Sequence, residues 1–145
     1  MKQRGVTLME LLVVVSIVGI LAGIALPTYR KYLIRTQRSE AKIALLQLQT
    51  AQEKYYLQNN SYTDDVATAS PTGLGLPNTT ETGKYDITVE LEADEDGTEA
   101  QAFTATASPH DGGGQEDDKD CGSFMIDERG TRSNSGTGTS QVCWK

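Results

Sequence analysis

A single acidic side chain lies within the longest apolar segment of this sequence. Residues 6–26 are almost entirely apolar, and Glu10 is the one charged residue among them. A carboxylate at the centre of a membrane helix costs roughly 2.5–3.5 kcal/mol, so it is expected to have a partner or a function. The alternative is that Glu10 lies close enough to the membrane edge to reach water. Glu10 is therefore the first candidate functional residue, with both interpretations open.

Two cysteines could provide a covalent link. Cys121 and Cys143 both lie far beyond the apolar segment. In an exported domain, paired cysteines are usually joined in a disulfide. Zinc is the alternative, but two thiols and the single histidine, His110, fall short of the four ligands of a structural zinc site. The sequence favours a disulfide over a metal site if this part of the chain is exported.

An acidic, glycine-rich stretch at residues 111–120 could hold calcium. A solvated acidic loop is the favoured interpretation. Residues 92–97 also begin like an EF-hand loop, but its twelfth position is Phe103, where a bidentate carboxylate is required. The glycines do not form a phosphate-binding loop either, because no Gly-Lys-Ser/Thr follows them.

Catalytic chemistry has little support in the sequence. His110 is the single histidine, it lies between Pro109 and Asp111, and no nucleophile motif accompanies it. We therefore expect an exposed loop histidine, no catalytic residue, no metal and no cofactor, in a protein that is not an enzyme.

Charge is divided unequally along the chain. Residues 1–38 hold six basic side chains and one acid, whereas residues 39–145 hold seven basic side chains and 19 acids. The two parts carry +5 and −12, which give the net charge of −7. Because an acidic surface repels phosphate backbones, the second part is expected to be soluble and to disfavour nucleic acid as a partner.

The apolar segment is long enough to cross a bilayer. About 21 residues at about 1.5 Å each give roughly 31 Å of helix, the thickness of the hydrocarbon core. An ordinary secretory signal ends in an A-x-A-like cleavage site, but here residues 23–27 continue directly into an amphipathic pattern. We expect the segment to be retained in the membrane, and a simple signal anchor is the plain alternative.

The helical pattern continues past Pro27. Apolar side chains recur every three or four residues between charged and amide side chains, which predicts a half-buried helix. These apolar residues are Ala41, Leu45, Leu48, Ala51 and Tyr55. The sequence predicts one helix from about Thr7 to about Leu57, with a kink near Pro27.

The rest of the chain has strand and turn patterns. Residues 59–83 are rich in Asn, Ser, Thr, Pro and Gly, which predicts a connecting loop. Residues 85–91 alternate apolar and polar side chains, residues 100–107 fit a second strand, and Asp96-Gly97 between them is a hairpin signal. Residues 123–127 and 131–132 suggest a second hairpin. The expected fold is α+β, with a small antiparallel sheet covering the apolar stripe of the helix.

The first 27 residues, MKQRGVTLMELLVVVSIVGILAGIALP, resemble the type III signal of type IV prepilins and pseudopilins. The matching features are a short basic leader ending in Gly5, a glutamate five positions later at Glu10, an unbroken apolar run, and Pro27 at its end. The resemblance implies the pilin fold. It also implies a leader at 1–5, a transmembrane and polymerisation half-helix at 6–27, and an extracytoplasmic head at 28–145.

The resemblance gives roles to the N-terminal residues. It implies that a membrane-embedded prepilin peptidase cuts between Gly5 and Val6 and methylates the new amine of Val6. Val6 departs from the family, which usually has phenylalanine there. The resemblance further implies that Glu10 neutralises this amine on a neighbouring subunit. At ~4 Å and an effective dielectric constant near 20, the pair would be worth about 4 kcal/mol before desolvation.

The second part of the chain resembles the minor pilins of the PilE type in type IVa systems. The residues that carry this resemblance are Tyr55-Tyr56, Asn60-Ser61-Tyr62-Thr63, Cys121-Gly122, Glu128-Arg129-Gly130 and Cys143-Trp144-Lys145. In that family the two cysteines close a C-terminal loop by a disulfide, which would restrict the unfolded chain by roughly 3 kcal/mol. Tyr55, Tyr56 and Trp144 are expected to pack in the core rather than to stack on a ligand.

We therefore interpret the sequence as a structural subunit, a minor pilin, of a type IV pilus that supports pilus biogenesis, twitching motility or adhesion. The resemblance implies prepilin peptidase, other pilins, an assembly platform and motor, and membrane lipid as partners. It places the chain in the inner membrane with a cytoplasmic N-terminus, and later in the extracellular fibre. The alternatives are a type II secretion pseudopilin, a pilus-associated receptor for DNA uptake or adhesion, and an anchored enzyme. A DNA receptor should show a stripe of Lys and Arg.

Overall fold

The computed structural model describes residues 7–93 and 100–145. The chain divides into two compact units, Met1–Arg35 and Thr36–Lys145. The first unit contains the apolar segment, and the second contains the sheet and the disulfide. The predicted hairpin turn at Asp96-Gly97 and the predicted cleavage junction of Gly5 and Val6 lie outside the described residues.

Helix α1 runs from Leu8 to Asn59. It begins after Thr7, whose Oγ1 accepts the backbone N–H of Glu10 at 3.2 Å, as the Thr-x-x-Glu pattern of a capping box favours. It ends just before Asn60, which has a φ of 56° and donates its N–H to the carbonyl of Tyr56 at 2.8 Å. The predicted single helix is confirmed.

Pro27 lies inside α1. Proline has no N–H to donate to the carbonyl of Gly23, so one backbone hydrogen bond of the helix is missing at this point. The next residue, Thr28, donates its hydroxyl to the carbonyl of Ile24 at 3.0 Å. The helix continues through the proline, and the kink there stays a prediction.

The four strands are β1 (Tyr85–Ala93), β2 (Ala100–Pro109), β3 (Phe124–Asp127) and β4 (Arg132–Asn134), followed by a short helix α2 (Ser140–Cys143). They form one antiparallel sheet in the order β1-β2-β3-β4. The register pairs Tyr85 with Pro109 and Leu91 with Phe103, and it shifts between Glu92 and Ala93. The two predicted hairpin pairings and the predicted α+β class are confirmed.

The core lies between the second part of α1 and one face of the sheet. Residues two apart along β2 are buried together, as the alternating pattern of a one-sided strand requires. The buried apolar residues of the core are Ala41, Leu45, Leu48, Val66, Tyr85, Ile87, Phe103, Ala105, Ala107, Cys121, Phe124, Ile126 and Cys143.

The buried stripe of α1 differs from the predicted one at polar positions. Arg38 and Gln52 are buried, whereas Ala51 and Tyr55 are only half-buried. Gln52 donates its Nε2 to the carbonyl of Thr63 at 2.6 Å and accepts the N–H of Thr63 on its Oε1 at 3.2 Å. Because this amide has backbone partners for both of its polar atoms, it can be buried at little cost.

Candidate functional site

Glu10 lies in the first turn of α1, in the third helical position after its cap Thr7. A carboxylate in this turn is favoured by the free N–H groups of the helix N-terminus. Glu10 is exposed, and its predicted partner, the amine of Val6, lies outside the described residues. The sequence pattern Thr-x-x-Glu could have indicated this capping position. The pairing role of Glu10 stays a prediction.

The apolar part of α1 is exposed along its whole length. The large apolar side chains between Leu8 and Leu26 are between 49% and 76% exposed. Within the described residues, α1 is the one helix long and apolar enough to cross a membrane. A continuous apolar surface of this size requires a cover, which a bilayer or neighbouring apolar helices can supply.

In the second unit, α1 is tied to the acidic loop by a buried ion pair. Arg38 donates from Nε and Nη2 to the two carboxylate oxygens of Asp118, each at 2.7 Å. The Asp118 side chain is 1% exposed, whereas Asp120, whose Oδ2 lies 3.7 Å from Nη2, is 69% exposed. The hydrogen bond with Asp118 raises the pKa of Arg38. Asp118 also accepts the N–H of Cys121 at 3.2 Å, so the pair holds the loop beside the disulfide.

A second buried chain of hydrogen bonds runs beside the ion pair. Tyr85 of β1 donates its hydroxyl to Oε1 of Gln115 at 2.9 Å. Gln115 in turn donates its Nε2 to Oε1 of Gln37 on α1. Burial raises the pKa of Tyr85, which keeps the hydroxyl protonated as the donor in this chain. The acidic loop is therefore fastened to both α1 and the sheet.

Cys121 and Cys143 form a disulfide, as predicted. Both cysteines are buried in the core. The bond joins the loop just before β3 to the end of α2, so it closes the segment that contains β3 and β4.

Two carboxylates of the acidic loop, those of Glu116 and Asp118, accept hydrogen bonds within the protein. Glu116 accepts the N–H groups of Gly112 and Gly114, the latter at 2.7 Å, and these backbone hydrogen bonds lower the pKa of Glu116. Asp118 is occupied by Arg38. Among the described residues no group of three or more His, Cys, Asp or Glu side chains is placed to hold a metal ion. Asp111, Asp117 and Asp120 are exposed, and the solvated loop that the sequence favoured stays a prediction.

His110 is exposed at the end of β2, as predicted for a loop histidine. Its Nδ1 lies 2.8 and 2.9 Å from the two carboxylate oxygens of Asp86, which is paired with the end of the same strand. Both side chains are more than 40% exposed, so the pair is a surface contact of the sheet edge.

Trp144 is packed as predicted and also borders a basic patch. Its ring packs edge-on against the ring of Phe124, with the two ring centroids 5.7 Å apart. Its indole N–H donates to the carbonyl of Ser133 at 2.9 Å. The guanidinium of Arg132 lies 5.3 Å from the ring centroid, and Lys42 donates to the carbonyl of Lys145. An open depression of about 470 Å³ lies here, lined by Arg132, Ser140, Gln141, Trp144 and Lys145.

This basic patch, consisting of Lys42, Arg132 and Lys145, was not predicted. Lys42 and Lys145 are 103 positions apart in the sequence, so no local pattern could indicate that they meet. Burial, followed by the charge of Arg38, lowers the pKa of Lys42. Arg132 and Lys145 line the same depression as Trp144, and Lys42 contacts the backbone carbonyl of Lys145.

The tyrosines near the end of α1 also pack as predicted. The ring centroids of Tyr56 and Tyr62 are 4.7 Å apart. The ring of Tyr62 also packs edge-on against Phe103 of β2, with a centroid distance of 4.8 Å. Burial raises the pKa of Tyr62 to about 12, and its hydroxyl donates to Glu53 at 3.2 Å.

Two family models match consecutive parts of the chain. Residues 1–26 match the prokaryotic N-terminal methylation motif. Residues 27–125, more than half of the chain, match the family described as type IV minor pilin ComP, DNA uptake sequence receptor. The chain belongs to the type IV pilin family. The predicted family and fold class are thereby confirmed.

Individual relatives are similar to this pilin over part of their length. The type IV major pilin protein PilA of Myxococcus xanthus is 46% identical over 63 residues, which cover 43% of this chain and 29% of the relative. The type IV major pilin protein PilE1 of Neisseria gonorrhoeae is 39% identical over 89 residues, which cover 61% of this chain and 52% of the relative. The pilin thus spans less than two thirds of the length of these relatives.

A solved structure has a similar fold. The non-core minor pilin PilV of Neisseria meningitidis is 21% identical and matches with a TM-score of 0.50, over 75% of this chain and 93% of that one. This likeness supports the α+β pilin fold.

Proposed function

We propose that this pilin is a structural, minor subunit of a type IV pilus and is assembled into the fibre through α1. The observation that carries the proposal is the exposed apolar surface of α1 between Leu8 and Leu26. The same helix continues into the core of a folded, acidic second unit. A subunit built in this way can be held in a bilayer by one end while it presents a soluble head.

The apolar surface of α1 can be covered first by lipid and later by the helices of other subunits. Lipid chains are about as apolar as leucine side chains, so moving this helix from the bilayer into a bundle of similar helices costs little free energy. Before assembly the helix spans the inner membrane once, with its N-terminus in the cytoplasm. After assembly the apolar helices form the centre of the extracellular fibre, and the heads form its surface.

The N-terminal residues prepare the helix for assembly. Prepilin peptidase removes residues 1–5 at the junction of Gly5 and Val6 and methylates the Val6 amine. The exposed carboxylate of Glu10 then pairs with the Val6 amine of a neighbouring subunit. The pairing sets the axial register between subunits, because a mismatched register would leave both charges unpaired in an apolar surrounding.

The partners follow from this role. They are prepilin peptidase, other pilins, the assembly platform and motor in the inner membrane, and membrane lipid. The relatives matched here are pilins, and we propose that this chain is likewise not an enzyme. The disulfide-closed segment argues against the alternative of a type II secretion pseudopilin.

Peptide mass spectrometry of sheared fibres tests the proposal. The expected result is a peptide from this chain that begins at a methylated Val6. Assembled subunits that begin at Met1 would overturn the processing step, and absence of the chain from fibres that contain other pilins would overturn the subunit role.

A second candidate function is a pilus-associated receptor for DNA uptake. It is favoured by the description of the matching family and by the basic patch of Lys42, Arg132 and Lys145 beside Trp144. The charge of −12 on residues 39–145 opposes it, because DNA binding depends on neutralising phosphates.

Binding of a labelled DNA duplex to the full-length pilin in detergent, measured by fluorescence anisotropy, separates these two functions. If the pilin is a receptor, Arg132→Gln weakens binding and reduces its salt dependence, whereas Arg129→Gln does not. Arg129 is the matched control, since it is a nearby exposed arginine that pairs with Glu128 at 3.1 Å. Absence of binding at low salt would eliminate the receptor function.

A further inference from the structure

The stretch of α1 that follows the apolar segment carries a local excess of positive charge. Residues 28–35 contain Arg30, Lys31 and Arg35 and no acidic side chain. All three basic side chains are exposed, as are Tyr29 (60%) and Tyr32 (65%). The stretch lies within the first compact unit, immediately after Leu26, the last residue of the apolar segment.

Two of the basic side chains share one side of the helix with a tyrosine. At 3.6 residues per turn, Lys31 and Arg35 are one turn apart, and Tyr32 lies beside them. We name Lys31, Tyr32 and Arg35 the basic face. Tyr32 points about 60° away from Arg35 around the helix axis, whereas Arg30 points about 140° away from Arg35, so Arg30 lies outside this face.

The basic face needs a counter-charge. Like charges four residues apart on a helix repel each other, so an anion held between Lys31 and Arg35 is favoured. The first acidic residue that follows in the sequence is Glu40, more than one turn beyond Arg35. Positive residues on the outer side of a membrane helix also run against the usual excess of Lys and Arg on the cytoplasmic side.

The height of the basic face matches the headgroup layer. Lys31 lies about 7.5 Å and Arg35 about 13 Å beyond Leu26 along the helix axis. The polar layer of a bilayer is about 5–8 Å thick on each side of the hydrocarbon core. Helical side chains slope toward the N-terminus, which here is the membrane side, so the long side chains of both residues reach this layer. Tyrosine is enriched at the same level.

We propose that the basic face binds the phosphate of an anionic phospholipid in the outer leaflet of the inner membrane. This inference rests on the proposed membrane placement of α1. The guanidinium of Arg35 can bind a phosphate through two parallel hydrogen bonds, and Lys31 adds a second charge. Since the rest of the pilin is strongly acidic, the basic face is the part suited to meet an anionic surface. Bound lipid holds the subunit at a defined depth until the helix leaves the bilayer.

The test uses the full-length pilin reconstituted into phosphatidylcholine vesicles that contain a trace of spin-labelled lipid. Electron paramagnetic resonance measures the fraction of labelled phosphatidylglycerol or labelled phosphatidylcholine that is immobilised by the protein. The wild type is expected to prefer phosphatidylglycerol severalfold. Lys31→Gln and Arg35→Gln are each expected to lower this preference by about fivefold or to abolish it, because each removes one of the two cations that contact the lipid phosphate.

Two control variants separate the basic face from total charge. Arg30→Gln removes a neighbouring charge outside the face, and Lys54→Gln removes an exposed lysine on the distant part of the same helix. Both are expected to keep most of the preference. Fluorescence of the single tryptophan, Trp144, checks that the head of every variant is folded.

The outcomes separate this inference from the proposed function. Failure of the wild-type protein to float with the vesicles would overturn the membrane placement itself. Insertion without lipid preference, or equal losses for Arg30→Gln and Arg35→Gln, would overturn the basic face alone. A third outcome is that Lys31→Gln and Arg35→Gln keep the lipid preference but are lost from sheared fibres. This outcome would identify the basic face as a contact between subunits, and it would also overturn the inference.

Discussion

The buried pair of Arg38 and Asp118 offers the most direct test of how the head is held together. Replacing Asp118 by alanine removes both 2.7 Å hydrogen bonds to the guanidinium and the acceptor for the N–H of Cys121. The side chain of Arg38 is 10% exposed, so its charge would be left with little water around it.

The expected loss of stability in Asp118→Ala is large because the remaining charge, that of Arg38, is buried. Breaking such a pair by removing one partner typically costs 3–5 kcal/mol of the free energy of unfolding. Asp120, 3.7 Å from Nη2 and mostly exposed, can move closer to Arg38, which favours the lower end of this range. At about 2 kcal/mol per molar urea, a loss of about 3 kcal/mol should lower the midpoint of unfolding by about 1.5 M.

Urea unfolding of the full-length pilin in detergent, followed by the fluorescence of Trp144, measures this loss. The matched control is Arg129→Ala, which breaks the ion pair with Glu128 by removing a side chain that is 82% exposed. That pair should contribute at most about 1 kcal/mol. The double variant Arg38→Met/Asp118→Leu removes both charges and should recover most of the stability.

Two results would refute this reasoning. One is a loss for Asp118→Ala as small as that for Arg129→Ala, which would mean that the buried pair contributes no more than a surface pair. The other is a double variant as unstable as Asp118→Ala, which would mean that the cost comes from lost packing and not from an unpaired charge.

Three further predictions concern Glu10, the disulfide and Glu116. Glu10→Ala should leave membrane insertion and disulfide formation intact but deplete the pilin from sheared fibres, because it deletes only the charge partner of Val6. Immunoblots of the membrane and fibre fractions measure how much of each variant is incorporated. Equal incorporation of Glu10→Ala and wild type into fibres would contradict the pairing. Replacing Cys121 and Cys143 by serine should lower the free energy of unfolding by roughly 3 kcal/mol in urea titrations. A loss below about 1 kcal/mol would show that the closed segment is held mainly by other contacts. The folded-state pKa of Glu116 lies below its ordinary value of 4.5, so its contribution to stability is present above pH 4.5 and is lost as the pH falls through the folded-state pKa. Thermal unfolding of Glu116→Gln should therefore depend less on pH below 4.5 than that of the wild type, and parallel curves would contradict this.

The helices and strands could be predicted from the sequence because their signals are local. The continuous apolar run predicted the exposed part of α1, and the alternation from Tyr85 to Leu91 predicted the one-sided strand β1. Each of these patterns repeats within a few residues, at the period of the element that it forms. The disulfide could be predicted because the pilin resemblance implied that its two cysteines pair.

The partners of buried polar groups could not be predicted in the same way. The predicted apolar stripe of α1 did not include Arg38, whereas the structure buries this side chain against Asp118, 80 positions away. The pattern counts apolar side chains and cannot indicate that a distant carboxylate will neutralise a cation. Gln52 was missed for a related reason, since its burial depends on the backbone of Thr63 in a loop.

The sequence by itself determined the division of this pilin into an apolar helix and an acidic head, because hydropathy and charge are properties of each residue alone. Tertiary structure alone decided which polar groups meet. It brought Lys42 to the carbonyl of Lys145, next to Trp144, and it gave Asp118 and Glu116 of the acidic loop Arg38 and glycine N–H groups as partners. Such contacts depend on the path of the whole chain, since a charge is stabilised by whatever the fold places within a few ångströms of it.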